Sequence, residues 1–231
     1  MKSMSHFWKA QIAVLACLVF PAVGHAAFLK TLGFSESHIL YTQDQSPSVN
    51  NWMHTIKAGL ESSKDGSKWA YGFSGYASLS PSFTYVGDSS HLKFYGLNLR
   101  AAYSLITKKR FQLSLAAGYY YVTSVSSSYT GGFENLNGPQ IYPSFRFTYK
   151  KAGTLMGYFK YSPVSSRFSL LKIESNYELA AGLTYFFKQQ TFPFTIGVSL
   201  DLSEIKFNDP NIASFTLLTG SLGVVFVFGG S

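Results

Sequence analysis

The chain has 231 residues, enough for one medium domain with a sizeable core. Charged residues supply only 13%, about half the share usual in soluble domains, while aromatic residues reach 17%, with 21 Phe and 16 Tyr. That balance excludes a disordered chain, which combines low apolar content with high charge. It also excludes a helical membrane protein, because beyond the N-terminus no apolar run approaches about 18 residues.

In chain order, residues 1–26 have the form of a secretory signal peptide. Lys2 and Lys9 give a basic start, an apolar run covers 12–20, Pro21 ends it, and Gly24-His25-Ala26 offers small residues for cleavage after Ala26. A lipidation box at Val14-Leu15-Ala16-Cys17 is the competing reading. It would leave apolar Leu18-Val19-Phe20 at the new terminus, where a polar tether belongs. The expected cut removes Cys17, the only cysteine, and with it any disulfide, thiol nucleophile or Cys metal ligand. Losing Lys2 and Lys9 lowers the formal net charge from +8 to +6. Much of the excess sits at Lys108-Lys109-Arg110, Lys150-Lys151 and Lys188. In an exported chain this points to anionic lipid headgroups and not to nucleic acid.

Residues 27–50 read as an N-terminal segment or a first strand near 28–41, where alternation is poor. Residues 51–228 carry the regular pattern. The 52–61 segment alternates, but Trp52, Ile56 and Leu60 also fit an amphipathic helix. Asp65-Gly66 signals a turn, and 69–85 reads as one strand broken at Pro81. In 92–105, Tyr95, Leu97, Leu99, Ala101, Tyr103 and Leu105 oppose Gly96, Asn98, Arg100, Ala102 and Ser104. In 111–122, Phe111, Leu113, Leu115, Ala117, Tyr119 and Tyr121 again occupy one face, a period of two that no helix reproduces. Further strands are predicted at 141–150 (with Pro143), 154–162, 176–187, 192–202 and 215–228, before a tail at 229–231. Short connections fall near 107–110, 150–153 and 188–190, and long ones at 123–140, 163–173 and 203–213.

Strands of about ten residues, with short turns at one end and long loops at the other, describe an all-β, antiparallel, up-and-down transmembrane barrel of the outer-membrane type. The count is eight to ten, and ten is preferred for even parity. Seven charges lie inside the strands: Lys57, Glu61, Arg100, Arg146, Lys160, Glu178 and Asp201. All fall on the face opposite the aliphatic and aromatic one. In a bilayer they therefore line the lumen, because a charge on the lipid face costs about 2–4 kcal/mol at the midplane. They form either a self-satisfied ionic plug or the lining of a thin channel with a slight excess of base. His54 is the exception, falling on the lipid face.

The last strand contains Ser221-Leu222-Gly223-Val224-Val225-Phe226-Val227-Phe228. This resembles the β-signal of Gram-negative outer-membrane proteins, in which a polar residue, a glycine and two aromatic or apolar positions recur at these spacings. The resemblance implies an outer-membrane location, recognition by the barrel-assembly machinery through Ser221, Gly223, Phe226 and Phe228, and contact with outer-membrane lipid and lipopolysaccharide. In that family the final aromatic usually ends the chain; here Gly229-Gly230-Ser231 follow.

No zinc-protease, phosphate-loop or nucleophile-elbow motif occurs, so no catalytic, metal or cofactor residue is assigned and the chain is read as a non-enzyme. Asp88-Ser89-Ser90-His91, with His38, faintly resembles the rim of lipid A palmitoyltransferases, but residue order and surroundings differ and these are ordinary turn residues. The functional expectation is a structural or surface-interacting barrel presenting loops at 129–137 and 206–211. The alternatives are a narrow porin-like channel, a lipid-modifying rim enzyme, and a homo-oligomer enclosing lipid or an inner partner.

Overall fold

The computed structural model describes residues 26–43, 48–64, 66–79, 82–85, 88–126, 135–150, 152–165, 176–188, 193–209 and 213–229. These form strands β1 (Ala26–Gln43), β2 (Val49–Lys64), β3 (Trp69–Ser78), β4 (Ser82–Tyr85), β5 (Asp88–Lys108), β6 (Phe111–Ser126), β7 (Leu136–Tyr149), β8 (Gly153–Pro163), β9 (Tyr177–Phe187), β10 (Phe194–Asp209) and β11 (Ala213–Phe228). Pairing is antiparallel throughout. β1 pairs with β11, and β3 pairs with β5, so ten strands close into a ring. β4 lies outside the ring and pairs only with the outer end of β5.

The closure is staggered. Partner by partner, the path from Phe28 runs through Ser62, Tyr71, Ala101, Ala117, Ile141, Tyr161, Leu179, Glu204 and Leu218, and returns to β1 at Leu40. Strands that climb this far around the ring are tilted by roughly 35–45° to the barrel axis.

The wall is inverted relative to a soluble protein. On β11, polar Ser221 is 6% exposed while its neighbour Leu222 is 66% exposed. Leu99, Leu200, Leu202 and Phe159 likewise stand on the outside. Aromatic pairs mark both edges of this apolar band: Trp69 with Tyr103, Phe147 with Tyr149 and Tyr185 with Phe187 near the turns, and Tyr161 with Tyr177 and Trp52 with His38 nearer the loops. Two such girdles around an apolar band are the signature of a barrel that crosses a bilayer.

The tenth strand near 28–41 is β1, despite its poor alternation. Residues 52–61 are strand and not helix. A helix there would satisfy the apolar stripe of Trp52, Ile56 and Leu60 but leave the edges of β1 and β3 unpaired in the bilayer. The expected single strand at 69–85 is two, β3 and β4. Pro143 keeps its register with β6 opposite Leu115, yet the β7–β8 ladder skips from Ile141↔Tyr161 to Ser144↔Tyr158 around it.

The long connections are shorter than the composition suggests. The supposed loop at 203–213 is mostly hairpin: β10 runs to Asp209, and Asp209 pairs with Ala213. Lys206, expected in a presented loop, lies in that strand, while Ile205 and Phe207 turn inward. Asp88–His91, expected as a short outer loop, is backbone-paired strand at the start of β5. Most of the 129–137 and 163–173 loops lies outside the described residues.

Candidate functional site

The lumen holds a cavity of about 500 Å³, and all seven strand charges line it. Period-two alternation puts them there. Each sits at an inward position beside at least one outward apolar neighbour, and those buried in the low-dielectric wall require a partner.

Three ion pairs form inside the lumen. Lys57 Nζ on β2 donates to Asp201 Oδ2 on β10 at 2.7 Å. Arg100 Nη2 on β5 donates to Glu61 Oε2 on β2 at 2.9 Å. Lys160 Nζ on β8 donates to Glu178 Oε1 on β9 at 2.6 Å, with side chains only 9% and 6% exposed. The Lys160 ammonium also lies 3.8 Å from the Tyr120 ring centroid, a cation–π contact. Tyr158 Oη donates to Asp201 Oδ1 at 3.0 Å, and the Arg100 guanidinium sits 5.8 Å from the Tyr142 ring. Asn98 and Gln140 exchange amide hydrogen bonds of 3.0 and 2.8 Å. Glycine makes room for these groups: a Cβ on Gly182 would lie 2.4 Å from Asp201 Oδ1, and one on Gly96 would lie 2.1 Å from the Tyr76 ring.

Arg146 differs from the other six. It lies on β7 near the turn-side end, in register with Gln112 and Met156, and has no ion-pair partner among the described residues. Around it are Gln112, Ser104 and Ser114, with Gln112 Nε2 donating to Ser104 Oγ at 2.7 Å.

Above the ionic belt, toward the loops, the described lumen residues are mainly apolar, with Ser78, Ser124, Ser162 and Asn176 buried among them. Ile39, Tyr41, Met53, Phe94, Tyr120, Val122, Leu136, Val164, Ile205, Phe207, Phe215 and Leu217 form one buried cluster, none more than 4% exposed. Phe215 stacks on Phe207 and packs at a tilt against Tyr41, with centroids 5.6 Å apart in each pair. The inward residues at the opposite end, including Ser104, Gln112, Ser114, Thr184 and Phe186, remain partly exposed. Among the described residues, the lumen is therefore buried toward the loop end and open toward the turn end.

The residues expected to form an assembly signal lie along β11. Ser221 faces inward, and its Oγ is 2.8 Å from Ser37 Oγ across the β1 seam. Gly223 pairs with Ser35 and Ser199, while Phe226 and Phe228 pack on Phe194 at the turn-side girdle. His54 does lie on the outer wall, where its Nδ1 bonds Glu36 Oε2. Glu36 and the Asn98–Gln140 pair were not singled out from sequence. Nor was the apolar layer, although it leaves a trace: on β10 the apolar positions change parity, from Ile196, Val198, Leu200 and Leu202 to Ile205 and Phe207. Of the rim group, the structure describes no side chain at Asp88–His91.

No protein-family model matches the chain, and no curated protein matches it in sequence. Solved structures do. The outer membrane protease OmpT of Escherichia coli aligns with 89% of this chain and 96% of its own, at 12% identity and a TM-score of 0.55. The translocator domain of the autotransporter NalP of Neisseria meningitidis aligns over 96% and 94%, at 12% identity and a TM-score of 0.43. The attachment invasion locus protein Ail of Yersinia pestis aligns over 89% and 100%, at 13% identity and a TM-score of 0.40. With its closed ring of ten strands, the chain has the fold of the outer-membrane β-barrel proteins.

Proposed function

We propose that this chain is an integral outer-membrane barrel of a Gram-negative bacterium. On this reading its leader is removed, its β11 signal is read by the assembly machinery, and its outer wall contacts lipid and lipopolysaccharide. Its role is structural or is exerted through the loop-side surface, and its lumen does not conduct. The apolar layer at the loop end carries this reading. A hydrated ion would have to displace close-packed Phe, Ile and Leu side chains, and below them it would meet charges already paired with one another. The rival reading, a narrow channel weakly preferring anions, requires a continuous polar path through that layer.

Single-channel recording of the refolded protein in a planar bilayer, beside the Arg100→Ala/Arg146→Ala variant, separates the two. The proposal expects no stable openings from folded protein of either kind. Steady wild-type openings that shift in the variant would establish the channel instead.

A further inference from the structure

The three luminal ion pairs consume six of the seven charges expected in the lumen and leave Arg146 over. Its surroundings are two-sided. Toward β5 and β6 lie Gln112, Ser104 and Ser114; toward β8, β9 and β11 lie Met156, Phe186 and Val225. One wall thus offers a guanidinium, an amide and hydroxyls, and the other is mainly apolar, with Thr184 in register with Met156. The entrance is itself basic: Lys64, Lys68, Lys108, Lys109, Arg110 and Lys150 are all exposed at the turn-side rim. The turn sequences hold a single acid, Asp65. A cleft of one sign with low-dielectric walls concentrates counter-ions.

We infer that the turn-side vestibule is a binding site for a small organic anion with an apolar body, its anionic group held by Arg146 and its body against Met156 and Phe186. Guanidinium presents planar paired donors suited to carboxylate, sulfonate or phosphate. Arg100 and Lys57 do not compete for the ligand, because Glu61 and Asp201 already hold them. The inference is separate from the closed-lumen reading: a leaking barrel would still have this site, and a silent one need not.

The test is calorimetric titration of the folded protein, in nanodiscs of zwitterionic lipid, with naphthalene-2-sulfonate. Inorganic sulfate and uncharged 2-acetonaphthone are run in parallel. Saturable binding of the sulfonate is expected, with sulfate and the ketone each at least about tenfold weaker. Arg146→Gln should weaken the sulfonate about tenfold or more while leaving the ketone unchanged. Ser114→Trp, which fills the vestibule from β6 and keeps the arginine, should abolish saturation. Should Arg146→Gln fold poorly, Arg146→Lys takes its place, with an intermediate loss expected because the charge remains without the planar fork. Equal sulfonate affinity in folded wild type and the Arg146 variant would overturn the inference, as would the absence of saturation at millimolar sulfonate.

Discussion

Lys160 and Glu178 show how the lumen's chemistry is settled one residue at a time. The pair is almost wholly buried, with Tyr120 stacked on the ammonium, and Glu178 Oε2 has no hydrogen-bond partner among the described residues. Such a pair is held by mutual dependence, since each charge is tolerable only beside the other. Glu178→Gln should therefore cost about 3–5 kcal/mol in urea unfolding of the detergent-solubilised barrel. Lys160→Met/Glu178→Leu should regain most of that loss; a single variant as stable as wild type would mean that water solvates the site. That these residues face inward was legible in the sequence, because each of the seven interrupts its strand on the face opposite the aliphatic and aromatic one. Their pairing was not. Lys57 and Asp201 stand 144 residues apart, and only ring closure and its stagger bring β2 opposite β10. His54 was legible as an anomaly, but its partner Glu36 sat in a segment whose alternation was too weak to assign a face.

At the scale of elements, the strands that alternate most cleanly, β5, β6 and β9, were legible because their outward residues are Tyr, Leu and Phe and their inward residues are Gly, Ala and Ser. β1 was obscured because its inward set, Gly33, Ser35, Ser37, Ile39 and Tyr41, passes from small polar to large apolar along its length. The same change hid the outer half of β10. A hairpin with apolar residues inside and polar residues outside reads as a loop when polar residues are expected inside. β1 nonetheless closes the ring, pairing with β2 on one side and β11 on the other, with Ser37 Oγ reaching both Thr55 and Ser221. Deleting residues 26–43 should leave two unpaired edges, which the bilayer does not tolerate. The deletion protein should lose the compact, heat-modifiable band that a folded barrel shows on an unheated gel; retention of that band would show that β2 and β11 can close without β1.

For the whole molecule, the lumen is asymmetric: apolar and sealed at the loop end, ionic in the middle, open at the turn end. Hydrophobic burial stabilises the seal in the ordinary way, because strands that continue past the lipid-facing band have water outside and must turn their apolar residues inward. The wall thus reverses its polarity along one barrel, lipid-facing below and core-forming above. Ser114 lies in the vestibule beneath this seal, and residues 27–231 contain no cysteine, so Ser114→Cys introduces a single reporter. The most direct measurement is the sidedness of its labelling by a membrane-impermeant maleimide in vesicles of known orientation. Rapid labelling from the turn side and none from the loop side is the predicted result. Equal labelling from both sides would mean that the apolar layer is not a seal, and the closed barrel would give way to a channel.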